Sequence, residues 1–240
     1  MRLLVDIGNT RCKWALARDT TLVETGVVSR ADAEDWTAAL PQCPVESIHV
    51  SSVAQPEALS RLRAFAAELG VDLSAAESKA RFAGLTNAYR EPERLGVDRW
   101  MACIAAQADA GGSVLVADAG TALTLDFVDA NGAHQGGLIT PGVATMRGAL
   151  RRQTQLRPTV EHAAPVWLAC DTDSAIAAGT LRSAISLLDS AALELAPDRL
   201  VLTGGGAPEL ARHLARPWAL RPHLVLEGLA IHARHLLPTG

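Results

Sequence analysis

The chain has 240 residues, 49% of them apolar, and a formal net charge of −4, which is enough to bury a core in one large domain or two small ones. Its acidic and basic residues are scattered, so no basic stripe offers the footprint of a nucleic-acid binder, and no nucleic-acid partner is expected. Asp6 interrupts the opening apolar run and no later stretch reaches the roughly 20 apolar residues of a bilayer span, so neither a signal peptide nor a membrane segment is expected, and the expected location is cytoplasmic.

The first 28 residues alternate in the manner of three consecutive strands, over residues 3–5, 13–17 and 22–28, joined by Gly-Asn and Asp-Thr-Thr turns. A helix is expected over 31–40, a short strand over 47–51, and an amphipathic helix over 56–69, which opens with Pro56 and stops at Gly70. A further short strand at 71–73 and an irregular stretch at 82–94 precede a helix over 98–110, which ends at Gly111-Gly112. The plan then repeats, with strands at 114–117 and 123–128, an Asn131-Gly132 turn and a strand running into residues 136–139. A long helix over 173–195, a strand at 200–202 ending in Gly204-Gly205-Gly206, a helix over 208–214 and a last helix over 226–237 complete the chain. Two meanders, each followed by alternating helices and strands, predict two α/β domains of one design, residues 1–112 and 113–240.

The four cysteines, Cys12, Cys43, Cys103 and Cys170, never form a Cys-x-x-Cys pair, which excludes a zinc knuckle and reads as buried small apolar side chains. His232 and His235 lie three apart on a helix with no third ligand nearby, a poor basis for a metal site.

The chemistry lies in the turns. Asp6-Ile7-Gly8-Asn9-Thr10 ends the first strand, and Asp118-Ala119-Gly120-Thr121 ends the corresponding strand of the second half. Glycine lets a hairpin backbone approach an anion, turn amides and hydroxyls can hold phosphate oxygens, and the aspartate can bind a cation or its water shell. One such turn is ordinary hairpin chemistry. Two in equivalent places are harder to obtain that way, and a third element, Leu202 to Ala207, brings a triple glycine between a strand and a helix, where a nucleotide could pass closely.

In this order the three elements resemble the phosphate-1, phosphate-2 and adenosine motifs of the acetate-and-sugar-kinase, heat-shock chaperone and actin superfamily. The resemblance implies two ribonuclease-H-like domains, each with a mixed sheet, with ATP and magnesium in a cleft between them. Tyr89, followed by Leu95-Gly96-Val97-Asp98-Arg99-Trp100, is similar to the Gly-x-Asp-Arg signature of type III pantothenate kinases, and Gly136-Gly137-Leu138-Ile139-Thr140-Pro141-Gly142 to a second stretch of that family.

The residues alone leave other roles open. Asp98 fits a helix N-cap, Arg99 a solvated first-turn charge and Tyr89 a core aromatic. The resemblance instead makes Asp98 the general base on the pantothenate hydroxyl and places Tyr89, Gly96, Val97, Arg99 and Thr180 around that substrate. It makes Asp6, Ile7, Gly8, Asn9, Thr10, Arg11, Cys12, Lys13 and Thr121 the ATP contacts. Asp118 would hold a monovalent cation, potassium or ammonium, and Asp6 would hold magnesium through water. The implied activity is ATP-dependent phosphorylation of pantothenate to 4'-phosphopantothenate, the first step of coenzyme A biosynthesis, by a homodimer whose pantothenate site lies at the subunit interface. Another small-molecule kinase of the superfamily, or a nucleotide-binding regulator without catalysis, would share the glycine turns.

Overall fold

The computed structural model describes residues 1–29, 36–53, 56–154 and 166–236. Their contacts group into two compact units, one of Met1–Gly111, Asn131–Gly136 and His223–Gly240, the other of Gly112–Ala130 and Gly137–Pro222.

The sheet of the first unit grows from β1 (Arg2–Ile7), which pairs antiparallel with β2 (Arg11–Arg18) and parallel with β4 (Ser47–Ser52). β3 (Thr21–Ser29) extends it as an antiparallel neighbour of β2, and β5 (Asp72–Ala75) as a parallel neighbour of β4. The resulting order is β3-β2-β1-β4-β5. Central position explains the unbroken apolar run Leu3-Leu4-Val5, because a strand covered on both faces has no polar side to present. On one face Leu3, Val5 and Ile7 pack with Leu62, Phe65 and Ala66 of α1 (Pro56–Leu69). α6 (Leu224–His235) packs against β1 and β4 and against α2 (Val97–Ala108). The α2 and α6 backbones come so close that a Cβ on Gly228 would collide with the Met101 carbonyl. Residue 228 therefore has to be glycine for the two helices to meet as they do.

The second unit repeats the arrangement. β8 (Val114–Ala119) pairs antiparallel with β9 (Ala122–Val128) and parallel with β11 (Arg199–Thr203), and β10 (His134–Pro141) and β12 (Ala219–Leu220) complete the order β10-β9-β8-β11-β12. Leu115, Ala117 and Ala119 of β8 meet Leu181, Ala184 and Leu188 of α4 (Thr172–Leu195), whose start is capped by Asp171 accepting from the Ser174 amide at 2.8 Å. α3 (Val143–Gln153) and the short α5 (Ala207–Ala211) fill the remaining connections.

The strands and long helices fall where the sequence places them. Of the helix expected over 31–40, residues 31–35 lie outside those described, and Trp36–Ala39 form a single 3-10 turn. The irregular stretch contains a hairpin, β6 (Arg81–Phe82) and β7 (Leu85–Thr86), whose Thr86 amide donates to the Gly132 carbonyl at 2.9 Å. α6 and the 131–136 turn group with the first unit by their contacts. By length and composition alone α4 is long and apolar enough to cross a bilayer. In the fold its Ile176, Leu181, Ala184 and Leu188 are buried within the second unit.

Candidate active site

The two Asp-x-Gly turns occupy equivalent places, each at the end of the central strand of its sheet and next to the first parallel neighbour. Asp6 lies opposite Ser51 of β4, and Asp118 opposite Thr203 of β11. In the first turn the Gly8 amide donates to the Arg11 carbonyl at 3.0 Å, closing the hairpin around Asn9 and Thr10, which stay exposed. Asp6 is half-buried at the mouth of the turn. The expected ATP contacts divide here by orientation. Ile7 and Cys12 face each other across the ladder and are fully buried in the core, so only their backbone can meet a ligand, whereas Gly8 to Arg11 form the accessible turn.

The second turn is held from several sides. Its Gly120 amide donates to the Ala122 carbonyl at 2.9 Å, and the Gly206 amide donates to the Ala119 carbonyl at 2.9 Å. Gly204 has a φ of +93° and lies against Asp118 and Ala119 so tightly that a Cβ would come within 2.6 Å of the Ala119 carbonyl group. The triple glycine is thus explained by close approach to the turn that carries Asp118, in a backbone conformation that L side chains rarely adopt. At Gly120 a Cβ would make only an ordinary contact with the Asp118 carboxylate, 3.4 Å from Oδ1. A carboxylate among backbone groups, with no side chain crowding it from 120 or 204, is a donor set that suits a hard cation.

The helix that carries the Gly-x-Asp-Arg residues is α2. Its N-cap is Gly96, and Asp98 is the second residue inside the helix, which removes the N-cap role that the residue type allowed. The Asp98 carboxylate folds back over the helix start, its Oδ1 accepting from the Arg99 amide at 2.8 Å. A Cβ on Gly96 would sit 2.7 Å from that oxygen, so glycine at 96 is what lets the carboxylate lie there.

Arg99 is only 6% exposed, which excludes a solvated first-turn charge. Its Nη1 donates to the Tyr89 hydroxyl at 3.1 Å, and the guanidinium carbon lies 6.0 Å from the Tyr89 ring centroid. Tyr89 is half-buried, its amide accepted by the Asn87 side chain at 2.9 Å, and its ring stacks on the buried His134 at 6.2 Å. The structure therefore brings Tyr89, Gly96, Asp98 and Arg99 together on one end of α2.

Thr180 lies in the middle of α4, in the second unit. Its hydroxyl donates to the Ile176 carbonyl at 2.8 Å and accepts from Nε of Arg147 at 3.1 Å, and Arg147 also donates through Nη2 to the Ala177 carbonyl at 3.3 Å. Sequence reading missed Arg147, since nothing in an arginine-rich segment distinguishes it from solvated neighbours. His232 and His235 lie on α6. Both rings contact Phe82, with centroids 4.9 and 5.3 Å away.

A family model for type III pantothenate kinase matches residues 2–193. The chain belongs to that family. The type III pantothenate kinase of Halorhodospira halophila is 39% identical over 250 residues, covering 98% of each chain. That of Burkholderia mallei is 39% identical over 258 residues, covering 97% of this chain and 99% of the relative. Among solved structures, a Campylobacter jejuni protein described as a candidate Baf family transcriptional activator superposes with a TM-score of 0.65 at 22% identity, covering 98% of this chain and 100% of that one. A Listeria monocytogenes protein described as a candidate N-acetylmannosamine kinase superposes with a TM-score of 0.52 at 15% identity, covering 96% and 97%. At such identities these structures speak for the fold alone, and the fold is the sugar-kinase and actin type that the glycine turns implied. As a type III pantothenate kinase family member, the chain is a kinase.

Proposed function

We propose that this chain transfers the γ-phosphoryl group of ATP to the hydroxyl of pantothenate, giving 4'-phosphopantothenate and ADP, the first step of coenzyme A biosynthesis. The observation that carries the reading is the end of α2, where a half-buried Asp98 carboxylate, made possible by Gly96, lies one residue from a buried arginine paired to a tyrosine. Asp98 accepts the hydroxyl proton as the new O–P bond forms and the bond to the β-phosphate bridging oxygen breaks. Arg99 and Tyr89 hold pantothenate, with Gly96, Val97 and Thr180 lining the same substrate.

Residues Asp6 to Lys13 and Thr121 hold the nucleotide, through turn amides and hydroxyls. Asp6 would hold magnesium through water, and the ion would neutralise charge on the nucleotide phosphates. Asp118 would hold a monovalent cation, potassium or ammonium, beside the turn that Gly120 and Gly204 form with it. The equal strand order of the two sheets supports two domains of one design, 1–112 and 113–240. The reading extends to a cytoplasmic homodimer, and sedimentation at assay concentration decides its oligomeric part, a fully active monomer being the contrary result.

A coupled assay with ATP, magnesium and pantothenate, with and without potassium, tests the activity. Asp98→Asn tests the base. Turnover should fall about 10²–10⁴-fold while nucleotide binding persists. Near-normal turnover of that variant would remove Asp98 from the chemistry, and no pantothenate-dependent ADP release by the unaltered chain would remove the function.

A further inference from the structure

The connection between β10 and α3 carries contacts for which none of the roles assigned above accounts. The carbonyl of Thr121, in the second phosphate turn, accepts two hydrogen bonds from the start of α3. The Gly142 amide donates at 2.9 Å and the Thr145 hydroxyl at 2.6 Å. A carbonyl oxygen has two lone pairs, so this pair occupies both and fixes the plane of the peptide that follows Thr121. The approach is close enough that a Cβ on Gly142 would meet the Gly120 carbonyl, with the Thr121 carbonyl 3.0 Å away. Two residues further along α3, Arg147 forks onto α4, giving Nε to the Thr180 hydroxyl and Nη2 to the Ala177 carbonyl. One short stretch of helix therefore touches both the nucleotide turn and the residue assigned to pantothenate. The Thr180 hydroxyl has its single proton committed to its own helix at 2.8 Å. It can meet a ligand only as an acceptor.

We propose that the first two turns of α3 are the positioning element of the second unit's phosphate turn, with Thr145 as the residue that orients Thr121 and Arg147 as the clamp that anchors α3 to α4. This rests on the reading of Thr121 as an ATP contact. Thr145 touches no substrate in this scheme and acts through the Thr121 peptide. A hydroxyl-specific role separates it from simple packing, because valine has the shape of threonine without the donor, and serine keeps the donor without the methyl group.

The test is steady-state kinetics of Thr145→Val, Thr145→Ser and Thr121→Ala with each substrate varied in turn. Loss of one neutral hydrogen bond predicts a rise of about 2- to 10-fold in the ATP KM of Thr145→Val, with the pantothenate KM moving by less than half as much. Thr145→Ser should return the ATP KM to the starting value. Equal rises in both KM values, or a serine variant no better than valine, would overturn the positioning role and leave a packing residue. If Thr121→Ala raises the ATP KM while Thr145→Val does not, this inference fails and the ATP reading of Thr121 stands. An unchanged ATP KM in Thr121→Ala would refute that reading, and the inference with it.

Discussion

Gly96→Ala moves the proposed base without changing it. The added methyl group would lie 2.7 Å from Oδ1 of Asp98, against about 3.4 Å for an ordinary contact, so the carboxylate has to retreat by about 0.7 Å. Retreat costs the fold little. The obstacle is the end of a flexible side chain, and Gly96 has φ −52° and ψ 128°, a conformation open to alanine. What is lost is the bond from the Arg99 amide to Oδ1 at 2.8 Å, and with it the orientation of the carboxylate. Misplacement of a catalytic group by about 1 Å can lower rates about 10²-fold. We therefore expect kcat to fall roughly 10- to 100-fold at saturating pantothenate, with the melting temperature within about 3 °C of the unaltered chain, as for a change of less than about 1 kcal/mol. The assay is the coupled ADP-release measurement, paired with a thermal melt and with Asp98→Asn as the limiting case. A normal kcat in Gly96→Ala alongside a crippled Asp98→Asn would show that the carboxylate's exact place over the helix start does not matter, and the geometric argument would fall.

Arg99→Lys should raise the pantothenate KM by about ten-fold or more and the ATP KM much less, because an ammonium cannot reproduce a planar fork that donates to the Tyr89 hydroxyl and, in the proposed complex, would pair with the pantothenate carboxylate; equal rises in both would point to general damage. Acid should destabilise the chain before most carboxylates titrate. Burial holds the imidazoles of His49 and His232 down to a pKa of about 4, with Arg2 adding to the effect at His49 and Lys79 at His232. Both folded values lie below the unfolded value of about 6.5, so the unfolded chain takes up protons first and stability falls as pH drops from about 6.5 towards 4. The two together cost on the order of 2–4 kcal/mol at pH 5, a loss that His49→Gln should reduce, and a melting temperature flat between pH 7 and pH 5 would contradict it.

Some of this protein was legible before any coordinates. Local periodicity marked the meanders at 2–28 and 114–139, because a central strand covered on both faces must be apolar throughout and a hairpin needs its turn residues in place. The two Asp-x-Gly turns declared themselves by repetition, and the residues around Asp98 by their order. Local pattern, however, carries no account of what a residue touches far along the chain. Arg99 could also be read as a solvated charge, and only tertiary packing, which leaves it 6% exposed against Tyr89, decided otherwise. Gly96 looked like one letter of a signature, and the carboxylate lying where its Cβ would be supplied the reason for it. α6 comes last in sequence yet packs with α2 in the first unit, through a glycine contact with Met101 that no periodicity encodes. The same holds for Thr145 and Arg147, polar residues on an ordinary amphipathic helix until the fold sets one against Thr121 and the other against Thr180. Sequence determined the elements and the chemistry of the turns, since both depend on neighbours in the chain. The partners of Arg99, Thr145 and Arg147 lie 10, 24 and 33 positions away along the chain, and these only the packed structure brought together.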